Sequence, residues 1–394
     1  MNNSLPQGFS LGVAPAGFKK PGRNDLAVAF SDRPATAAAV FTKALFKAAP
    51  VQVGARIVAE QGRARAVLIN TGQANACTGD EGLANCRATQ ELLASALGIE
   101  PCEVLPASTG VIGAQLKMDA FRAAMPVLAA GVGKASLEEF AQAVMTTDSF
   151  PKYYAERLAI GGKEVIVAGA AKGAGMICPN MATMLCTLLC DAEVDRSDWQ
   201  ALLARAVDKT FNRATVDGDT STNDTVYALA NGASGVRIAG DALALLEEAV
   251  VRVLGDLAYK LVQDGEGATK VLRISVTGAA DAADAERAAR TVGHSQLVKT
   301  AMYGKDANWG RIVAALGRSG AAFDPALVRV SLCGVELFKH EQPTNLDFDA
   351  LLKEPLEQRD IAIDISLGNG PGAYELLASD LTHEYVSINA DYRS

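Results

Sequence analysis

Short apolar runs typical of β-strands alternate along this chain with stretches of helical periodicity, and this alternation constrains the fold more than any other feature. Runs of β type occupy residues 26–30, 66–69, 164–168 and 184–190. Helical patterns fall between them, and the clearest covers residues 243–262, where apolar side chains recur at three- and four-residue steps. Alternation of this kind predicts an α/β fold.

The last third of the chain predicts strands that have one face in a core. Apolar residues occupy every second position in residues 328–332 and again in residues 361–367. Residues 368–372, with the sequence GNGPG, predict a turn between strands. We therefore expect α/β structure with mixed α+β sheets, rather than one doubly wound parallel sheet alone.

The charge balance and the hydropathy pattern exclude several classes of protein. The 394 residues allow about two domains, and 37 basic against 45 acidic side chains give a net charge of −8. An acidic surface repels phosphate backbones, so we expect no nucleic-acid partner. No apolar run approaches the ~20 residues of a membrane span. The first ten residues do not have the pattern of a signal peptide, so we expect a cytoplasmic protein without a membrane partner.

Cysteine and histidine spacing predicts neither disulfides nor a metal site. The seven cysteines form no Cys-x-x-Cys pair and mostly have apolar neighbours, which predicts buried free thiols in a reducing compartment. The three histidines are far apart in sequence and have no metal-ligand spacing, so we expect no metal ion. A Ser-His-Asp hydrolase needs one histidine only and stays open, although the chain has no Gly-x-Ser-x-Gly elbow.

Three motifs that resemble ligand loops do not meet the requirements of such loops. Residues 131–136 (GVGKAS) have the wrong spacing for a phosphate loop. Residues 173–175 (GAG) have no third glycine for a dinucleotide fingerprint. Residues 217–221 (DGDTS) begin like a calcium loop, but Thr222 and Ala228 replace its glycine and bidentate glutamate. The motifs therefore predict no bound cofactor.

The segment from residue 165 to residue 190 carries the strongest chemical signal. A strand at 165–168 is expected to lead into a loop of small residues that carries Lys172, and Thr183 opens an apolar strand. A β-branched hydroxyl has a stiff χ1, and behind the small Ala182 it can attack the preceding carbonyl. That attack would be an N-to-O acyl shift, which cuts the chain and leaves Thr183 as a new amino terminus.

An amino-terminal threonine supplies a nucleophile and a base in one residue. Its hydroxyl attacks, and its α-amino group, with an ordinary pKa of about 7.7–8.0, accepts the proton. The alternative is that Thr183 only begins a core strand, since threonine is common there. The residues by themselves leave both interpretations open.

Several ordered motifs resemble the ornithine acetyltransferase family, also called bifunctional glutamate N-acetyltransferase. Residues 172–177 (KGAGMI) with 180–185 (NMATML) are similar to the self-cleavage site of that family. The similarity extends over essentially the whole chain, and its further motifs are residues 12–14 (GVA), 38–42 (AAVFT), 70–79 (NTGQANACTG), 108–113 (STGVIG), 215–224 (TVDGDTSTND), 304–311 (GKDANWGR) and 388–394 (INADYRS).

The resemblance implies an acyltransferase of arginine biosynthesis. Acetyl would pass from N-acetylornithine to Thr183 as an ester and then to glutamate, in a ping-pong reaction that yields ornithine and N-acetylglutamate. Acetyl-CoA is implied as a further donor, and the alternative is a monofunctional transferase that does not use it. No cofactor is expected to stay bound.

The resemblance also assigns roles to particular residues. Thr109 and Gly110 would form the oxyanion hole for the tetrahedral intermediate. Thr183 would also contact substrate, and from charge complementarity we expect Lys172 to bind the substrate α-carboxylate and Glu266 an ammonium group. The remaining substrate contacts implied by the family are Thr146, Asn389 and Ser394.

The family fold implies layered α/β/β/α structure and two chains from one precursor. Residues 1–182 would form the α chain and residues 183–394 the β chain, and two of each would make a heterotetramer. Two other classes stay open: a self-cleaving aminopeptidase or amidase on the same scaffold, and a non-catalytic amino-acid-binding protein. Acetyl that appears on glutamate rather than as free acetate would separate the transferase from the hydrolase.

Overall fold

A computed structural model describes residues 5–19, 22–178 and 184–391 of the chain. The strands in this part are β1 (Phe9–Ala14), β2 (Leu26–Phe41), β3 (Arg63–Gln73), β4 (Val104–Val111), β5 (Lys152–Ile160), β6 (Lys163–Lys172), β7 (Leu185–Cys190), β8 (Glu193–Val194), β9 (Ala214–Thr215), β10 (Thr225–Ala230), β11 (Arg237–Ile238), β12 (Val271–Ala279), β13 (Arg329–Leu332), β14 (Val335–Lys339), β15 (Gln342–Pro343), β16 (Asp360–Ser366) and β17 (Gly372–Ser379). The α-helices are α1 (Ala49–Glu60), α2 (Gly79–Leu97), α3 (Met118–Ala130), α4 (Leu137–Ala143), α5 (Arg196–Lys209), α6 (Ala242–Gln263), α7 (Ala282–Gly293), α8 (Gln296–Tyr303), α9 (Trp309–Gly317), α10 (Phe348–Leu352) and α11 (His383–Asp391).

The chain divides into two compact units. Unit 1 holds the described residues up to 212 together with 219–261, and unit 2 holds residues 213–218 and 262–391. The helical pattern expected at residues 243–262 is confirmed as α6. The apolar runs correspond to strands, although β7, β13 and β16 each exclude one terminal residue of the expected run, namely 184, 328 and 367. The mixed α/β class is therefore confirmed.

Unit 1 is built on a mixed sheet with the strand order β4-β3-β2-β10-β7-β6-β5, and β1 pairs with β2. β7 lies parallel to β10 and antiparallel to β6. Every residue of β7 and of β10 is buried, which explains why both sequences are almost continuously apolar. The centre of the sheet is therefore made by strands from both sides of Thr183 in the sequence.

The sheet of unit 1 curls, so that strands distant in its order face each other. The register of β2 against β3 shifts between Phe30 and Ala35, and a shift of this kind increases local twist and bending. The hydroxyl of Tyr227 in β10 donates to the carbonyl oxygen of Pro106 in β4 at 3.0 Å, across strands that are not neighbours. Layers of sheet thus pack face to face within this unit.

Strand β6 is longer than the sequence predicts. We expect it to end at Ala168, but it pairs with β5 and β7 through Lys172. The small residues of β6 allow α6 to pack closely against the strand, and they do not form a loop. A Cβ on Gly169 would lie 2.9 Å from a methyl carbon of Leu257 in α6. Lys172 is therefore at the end of a buried strand, and the loop expected around it begins at Gly173.

Unit 2 contains a second mixed sheet, with the order β15-β14-β13-β16-β12-β17-β9. In β16 the isoleucines are buried and the residues between them are more exposed, as the period-two pattern predicts. The turn expected at residues 368–372 connects β16 to β17. A Cβ on Gly370 would lie 2.0 Å from the carbonyl oxygen of Ala279, so the turn requires glycine there.

All seven cysteines are free thiols, but the prediction that they are buried is wrong for some of them. Cys86, Cys178, Cys186 and Cys190 are buried, whereas Cys77 and Cys102 are exposed and Cys333 is half-buried. Burial raises the pKa of the Cys86 and Cys190 thiols to about 12, so these two are inert as nucleophiles. In the described part of the chain, helices are too short or too polar to cross a membrane.

Candidate active site

Thr109 and Gly110 lie at the end of β4, beside the glycine of a parallel partner strand. β3 and β4 pair so that Thr71 is opposite Thr109 and Gly72 opposite Gly110. Gly110 has φ of +134°, and a Cβ there would lie 2.3 Å from the carbonyl carbon of Gly72. The pairing of β4 with β3 continues beyond these residues, through Val111. Only glycine fits this close approach of two backbones.

Lys172 reaches the predicted oxyanion-hole threonine. Its ammonium group donates to the hydroxyl of Thr109 at 3.2 Å, although the two residues are 63 positions apart in sequence. Lys172 is buried, so it is not a solvated surface lysine. The structure thus brings together two residues to which the family resemblance assigns different roles, one for substrate and one for the oxyanion.

Asp148 joins the segments that carry two predicted substrate residues. One carboxylate oxygen accepts from the backbone N–H of Thr146 at 2.8 Å. The other accepts from the backbone N–H of Gly173 at 2.7 Å and from the Lys152 ammonium group at 2.6 Å. Both charged side chains of the Asp148–Lys152 pair are fully buried.

The protonation state of Asp148 follows from these contacts. Burial alone would raise the pKa of this carboxyl, but the positive charges of Lys152 and Lys172 and the hydrogen bonds outweigh burial. The pKa of Asp148 is therefore held well below its ordinary value, and the side chain is an anion at neutral pH.

Lys19 adds a second cation near Lys172. The side chain of Lys19 packs against Gly72, where a Cβ would lie 3.4 Å from its Cγ, and Gly72 is the partner of Gly110. Partial burial, together with the positive charges of Lys172 and Arg23, lowers the pKa of Lys19 from its ordinary value to about 8. Lys19 therefore changes charge close to physiological pH.

The segment before β10 packs against the same strand ends. The side-chain amide of Asn223 donates to the carbonyl oxygens of Ala74 at 2.6 Å and of Ser108 at 2.8 Å, which fixes the residue before Thr109. The next residue, Asp224, accepts from the backbone N–H of Met184 at 2.9 Å. One segment thus holds both the oxyanion-hole strand and the residue that follows Thr183.

Glu266 and Asn389 meet within unit 2. Glu266 follows α6, as the sequence predicts, and its carboxylate accepts from the side-chain amide of Asn389 in α11 at 3.0 Å. Residues 383–391 form a helix, so Asn389 lies in a regular element rather than in an extended tail. Both side chains are at least partly accessible.

Three residues of the predicted site lie outside the described part of the chain. They are Ala182 and Thr183, which flank the predicted cleavage site, and Ser394 at the carboxyl end. Among residues 5–19, 22–178 and 184–391, no group of three or more His, Cys, Asp and Glu side chains could hold a metal ion. The absence of a metal stays a prediction.

Sequence reasoning missed Asp148, Lys152, Lys19 and Asp224. The sequence indicated Asp148 only weakly, as an acidic residue that comes two positions after Thr146 and follows an apolar helix. Asp224 comes directly before a buried strand, at the end of the motif at residues 215–224, which indicated only the family. A buried carboxylate that accepts backbone N–H groups orients the chain, and a cation beside a threonine hydroxyl and a glycine amide favours negative charge. The arrangement suits acyl transfer with anionic substrates.

Comparison with known proteins gives consistent matches along the chain. Residues 10–394 match the ArgJ family. Over 392 residues the chain is 64% identical to the arginine biosynthesis bifunctional protein ArgJ of Nitratidesulfovibrio vulgaris, which covers 100% of both chains. The identity to the protein of the same name from Geobacter sulfurreducens is 46% over 395 residues, covering 98% of this chain and 99% of the relative. The crystal structure of the arginine biosynthesis bifunctional protein ArgJ from Bacillus halodurans is similar with a TM-score of 0.50 and 37% identity, covering 52% of this chain and 97% of that chain.

Proposed function

The chain belongs to the ArgJ family, and we propose that it transfers acetyl from N-acetylornithine to glutamate, releasing ornithine and forming N-acetylglutamate. The family resemblance inferred from the motifs is confirmed, as is the α/β fold class with layered, mixed sheets. The chain is an acyltransferase of arginine biosynthesis, like the bifunctional proteins to which it is 64% and 46% identical.

In the proposed mechanism, Thr183 attacks the acetamide carbonyl carbon and becomes an acetyl ester. Its own α-amino group takes the hydroxyl proton and returns it to the leaving ornithine nitrogen. The tetrahedral intermediate places its negative charge at Thr109 and Gly110. Glutamate then attacks the ester through its amino nitrogen, which restores the Thr183 hydroxyl.

The observation that carries this proposal is the hydrogen bond from Lys172 to Thr109, beside Gly110. The ammonium group polarises the threonine hydroxyl, which makes that hydroxyl a stronger donor toward an oxyanion. The same cation attracts the carboxylate of an amino-acid substrate. Thr146 is fixed near this region through Asp148. We propose that Glu266, Asn389 and Ser394 contribute further substrate contacts, with Glu266 toward an ammonium group.

We further propose that the chain cuts itself between Ala182 and Thr183 and that the two pieces, residues 1–182 and 183–394, stay together. Support comes from the sheet of unit 1, because β7 and β10 of the second piece pair with β6 and β2 of the first. The similar chain from Bacillus halodurans supports a two-chain form, since 97% of it corresponds to about half of this chain. A heterotetramer in the cytoplasm is the assembly and location we propose.

The second acetyl donor is part of the proposal. The matched relatives are named bifunctional, which supports acetyl-CoA as a donor in addition to N-acetylornithine. A chain that uses N-acetylornithine alone would be the monofunctional alternative. Incubation with labelled acetyl-CoA and glutamate, without N-acetylornithine, decides between them by the appearance of labelled N-acetylglutamate.

The test of the main proposal compares wild type with Thr183→Ala and Thr109→Ala. Wild type is expected to show pieces of 182 and 212 residues by intact mass and to move labelled acetyl from N-acetylornithine to glutamate. Thr183→Ala is expected to stay whole and inactive. Thr109→Ala is expected to lower kcat by about 10²–10³-fold, as loss of an oxyanion-hole donor does. Release of free acetate in place of N-acetylglutamate would identify an amidase, and an uncut, folded wild type would overturn the mechanism.

A further inference from the structure

Asp224 is a buried acid that the mechanism above does not use. It lies directly before β10, and its residue is fully buried. One carboxyl oxygen accepts from the backbone N–H of Met184 at 2.9 Å. The other oxygen is also buried, and within the described part of the chain no group meets it in hydrogen-bond geometry.

The neighbours of Asp224 do not explain its second oxygen. The backbone N–H of Ser221 and the Thr42 hydroxyl are near enough to lower the pKa of Asp224, but neither meets the second oxygen in hydrogen-bond geometry. The proton of the Thr42 hydroxyl is donated to the carbonyl oxygen of Ser221 at 2.7 Å. Lys172 is close enough to act on Asp224 electrostatically, yet burial outweighs it and the pKa of Asp224 is raised well above its ordinary value. The second oxygen therefore lies in surroundings that disfavour a charged carboxylate.

Asp224 is connected to the proposed nucleophile through Met184. The nitrogen of Met184 is covalently bonded to the carbonyl carbon of Thr183, so the hydrogen bond from Met184 fixes one end of the Thr183–Met184 peptide. An unused buried donor or acceptor costs about 1–3 kcal/mol. A backbone carbonyl could accept from the Met184 N–H without leaving a second buried oxygen unpaired. A purely structural role therefore explains only one of the two Asp224 oxygens.

We propose that Asp224 is a positioning residue for Thr183, holding the backbone N–H of Met184 with one oxygen and keeping its second, buried oxygen at the start of β7. This inference rests on the proposed function of Thr183. Asp224 neither gives nor takes a proton in this role. In the acyl shift the Thr183 oxygen bonds to the Ala182 carbonyl carbon, the Ala182–Thr183 C–N bond breaks, and the nitrogen gains the proton that the hydroxyl loses. Water then hydrolyses the resulting ester, which leaves Ala182 with a carboxylate, restores the Thr183 hydroxyl and separates the two pieces.

The chain supplies a matched control at the other end of β7. Asp191 follows Cys190 and is equally buried, but both of its oxygens are satisfied, by the backbone N–H groups of Gln7 at 3.0 Å and Ile166 at 2.9 Å. Burial raises the pKa of Asp191 as well. Asp191 therefore matches Asp224 in burial, but it lies at the end of β7 that is far from Thr183, and both of its oxygens are paired.

The experiment follows self-cleavage in a cell-free translation time course of the full chain, using Asp224→Asn, Asp224→Ala, Asp191→Ala and Thr183→Ala. Asp224→Asn keeps the shape and the acceptor, so it is expected to cleave within about threefold of wild type. Asp224→Ala is expected to cleave at least about tenfold more slowly, because small displacements of reacting groups cost large factors in rate. Asp191→Ala is expected to lower Tm without slowing cleavage.

Further measurements keep the proposal testable if Asp224→Ala folds poorly. Cleavage rates of wild type and Asp224→Asn between pH 5.5 and 8.5 are expected to superimpose, because a positioning role needs no proton transfer by residue 224. After cleavage, any residual defect of Asp224→Ala is expected in kcat, with KM for glutamate unchanged. An Asp224→Asn variant as slow as Asp224→Ala would show that an ionisable acid is needed and would overturn the positioning role, as would a defect of equal size in Asp191→Ala. If wild type itself does not cut, or Thr183→Ala does, the proposed function fails instead.

Discussion

At the scale of single residues, several polar contacts of unit 1 meet at the carboxylate of Asp148. This carboxylate joins the backbone N–H groups of Thr146 and Gly173 to the buried ammonium group of Lys152. A buried ion pair is costly to form, and removal of one partner leaves the other charge without compensation. We therefore attribute to Asp148 both a share of stability and the relative placement of Thr146 and Lys172.

Asp148→Asn is expected to destabilise the protein by about 3–5 kcal/mol, because it leaves Lys152 buried without its counter-charge. The double variant Asp148→Asn with Lys152→Met is expected to recover most of that loss while activity stays low, since Thr146 and Gly173 still lack a charged acceptor. Urea unfolding and the transfer assay measure the two effects. Recovery of full activity in the double variant would contradict the placement role.

The same pair predicts an acid dependence of stability. Because the pKa of Asp148 is lowered in the folded state, the unfolded chain binds the proton more readily. The stabilisation is fully present above the ordinary pKa of 3.8 and is lost as pH falls below it toward the folded value. Urea midpoints between pH 6 and pH 3 are expected to fall more steeply for wild type than for the double variant.

Lys19 predicts a pH dependence of substrate binding. With a pKa of about 8, Lys19 is positive at pH 7 and neutral at pH 9, so attraction for glutamate weakens as pH rises. KM for glutamate is expected to increase about fivefold in wild type, which corresponds to about 1 kcal/mol, and to stay nearly constant in Lys19→Arg. The α-amino group proposed for Thr183 titrates in the same range in both proteins, so the difference between them isolates Lys19. Parallel KM curves would show that Lys19 does not face the substrate.

At the scale of secondary-structure elements, the pairing of β3 with β4 decides the geometry of the oxyanion hole. The two strands run parallel with Gly72 opposite Gly110, and their backbones approach more closely than a side chain allows. β4 is at the edge of the sheet, where Pro106 is tolerated because its missing N–H costs no ladder bond. The hydroxyl of Tyr227 and the amide of Asn223 then hold this edge from β10 and the segment before it.

Gly110→Ala is expected to abolish transfer and to lower stability, because its Cβ would meet the Gly72 carbonyl carbon at 2.3 Å. Gly113→Ala is the matched control, since Gly113 also has a positive φ of +83° but has no atom within 4 Å of its Cβ position. Both variants carry backbone strain of about 1–3 kcal/mol, so the difference between them measures the clash. Thermal unfolding and kcat give the comparison, and equal behaviour of the two variants would contradict the argument.

At the scale of the whole molecule, the predicted cleavage site does not coincide with the boundary between the compact units. Unit 1 contains residues on both sides of Thr183, and its central strands β7 and β10 come from the second piece. The net charge of −8 is a property of the whole chain and does not indicate the local cluster of positive side chains, Lys19, Lys152 and Lys172. Cutting one peptide bond removes no strand pairing from such a sheet.

The two pieces are therefore expected to elute together in size-exclusion chromatography under native conditions and to separate only in denaturant. The buried β7–β6, β7–β10 and β10–β2 ladders would hold them, with the apolar core around them. Thr183→Ala gives the uncut reference, and its elution volume is expected to match that of wild type. Separation of the pieces in dilute buffer would show that the shared sheet does not hold after cleavage.

The sequence by itself determined the element types, the family and the identity of most proposed site residues, because periodicity and short motifs are local properties of the chain. It indicated β6, α6 and the strands of unit 2, and it singled out Thr109, Gly110, Lys172 and Thr183. It did not give the end of β6, since only the packing of α6 on Gly169 explains why small residues continue a strand.

Only the tertiary structure decided which of these residues meet. Lys172 contacts Thr109 although 63 positions separate them in sequence. Asp148 and Asp224 accept from the backbone N–H groups of Gly173 and Met184, which no sequence motif marks as their partners. Burial and the charges around a group set its pKa, and both arise from chain segments brought together by folding. A sequence pattern records what a residue is, whereas the fold decides what that residue faces.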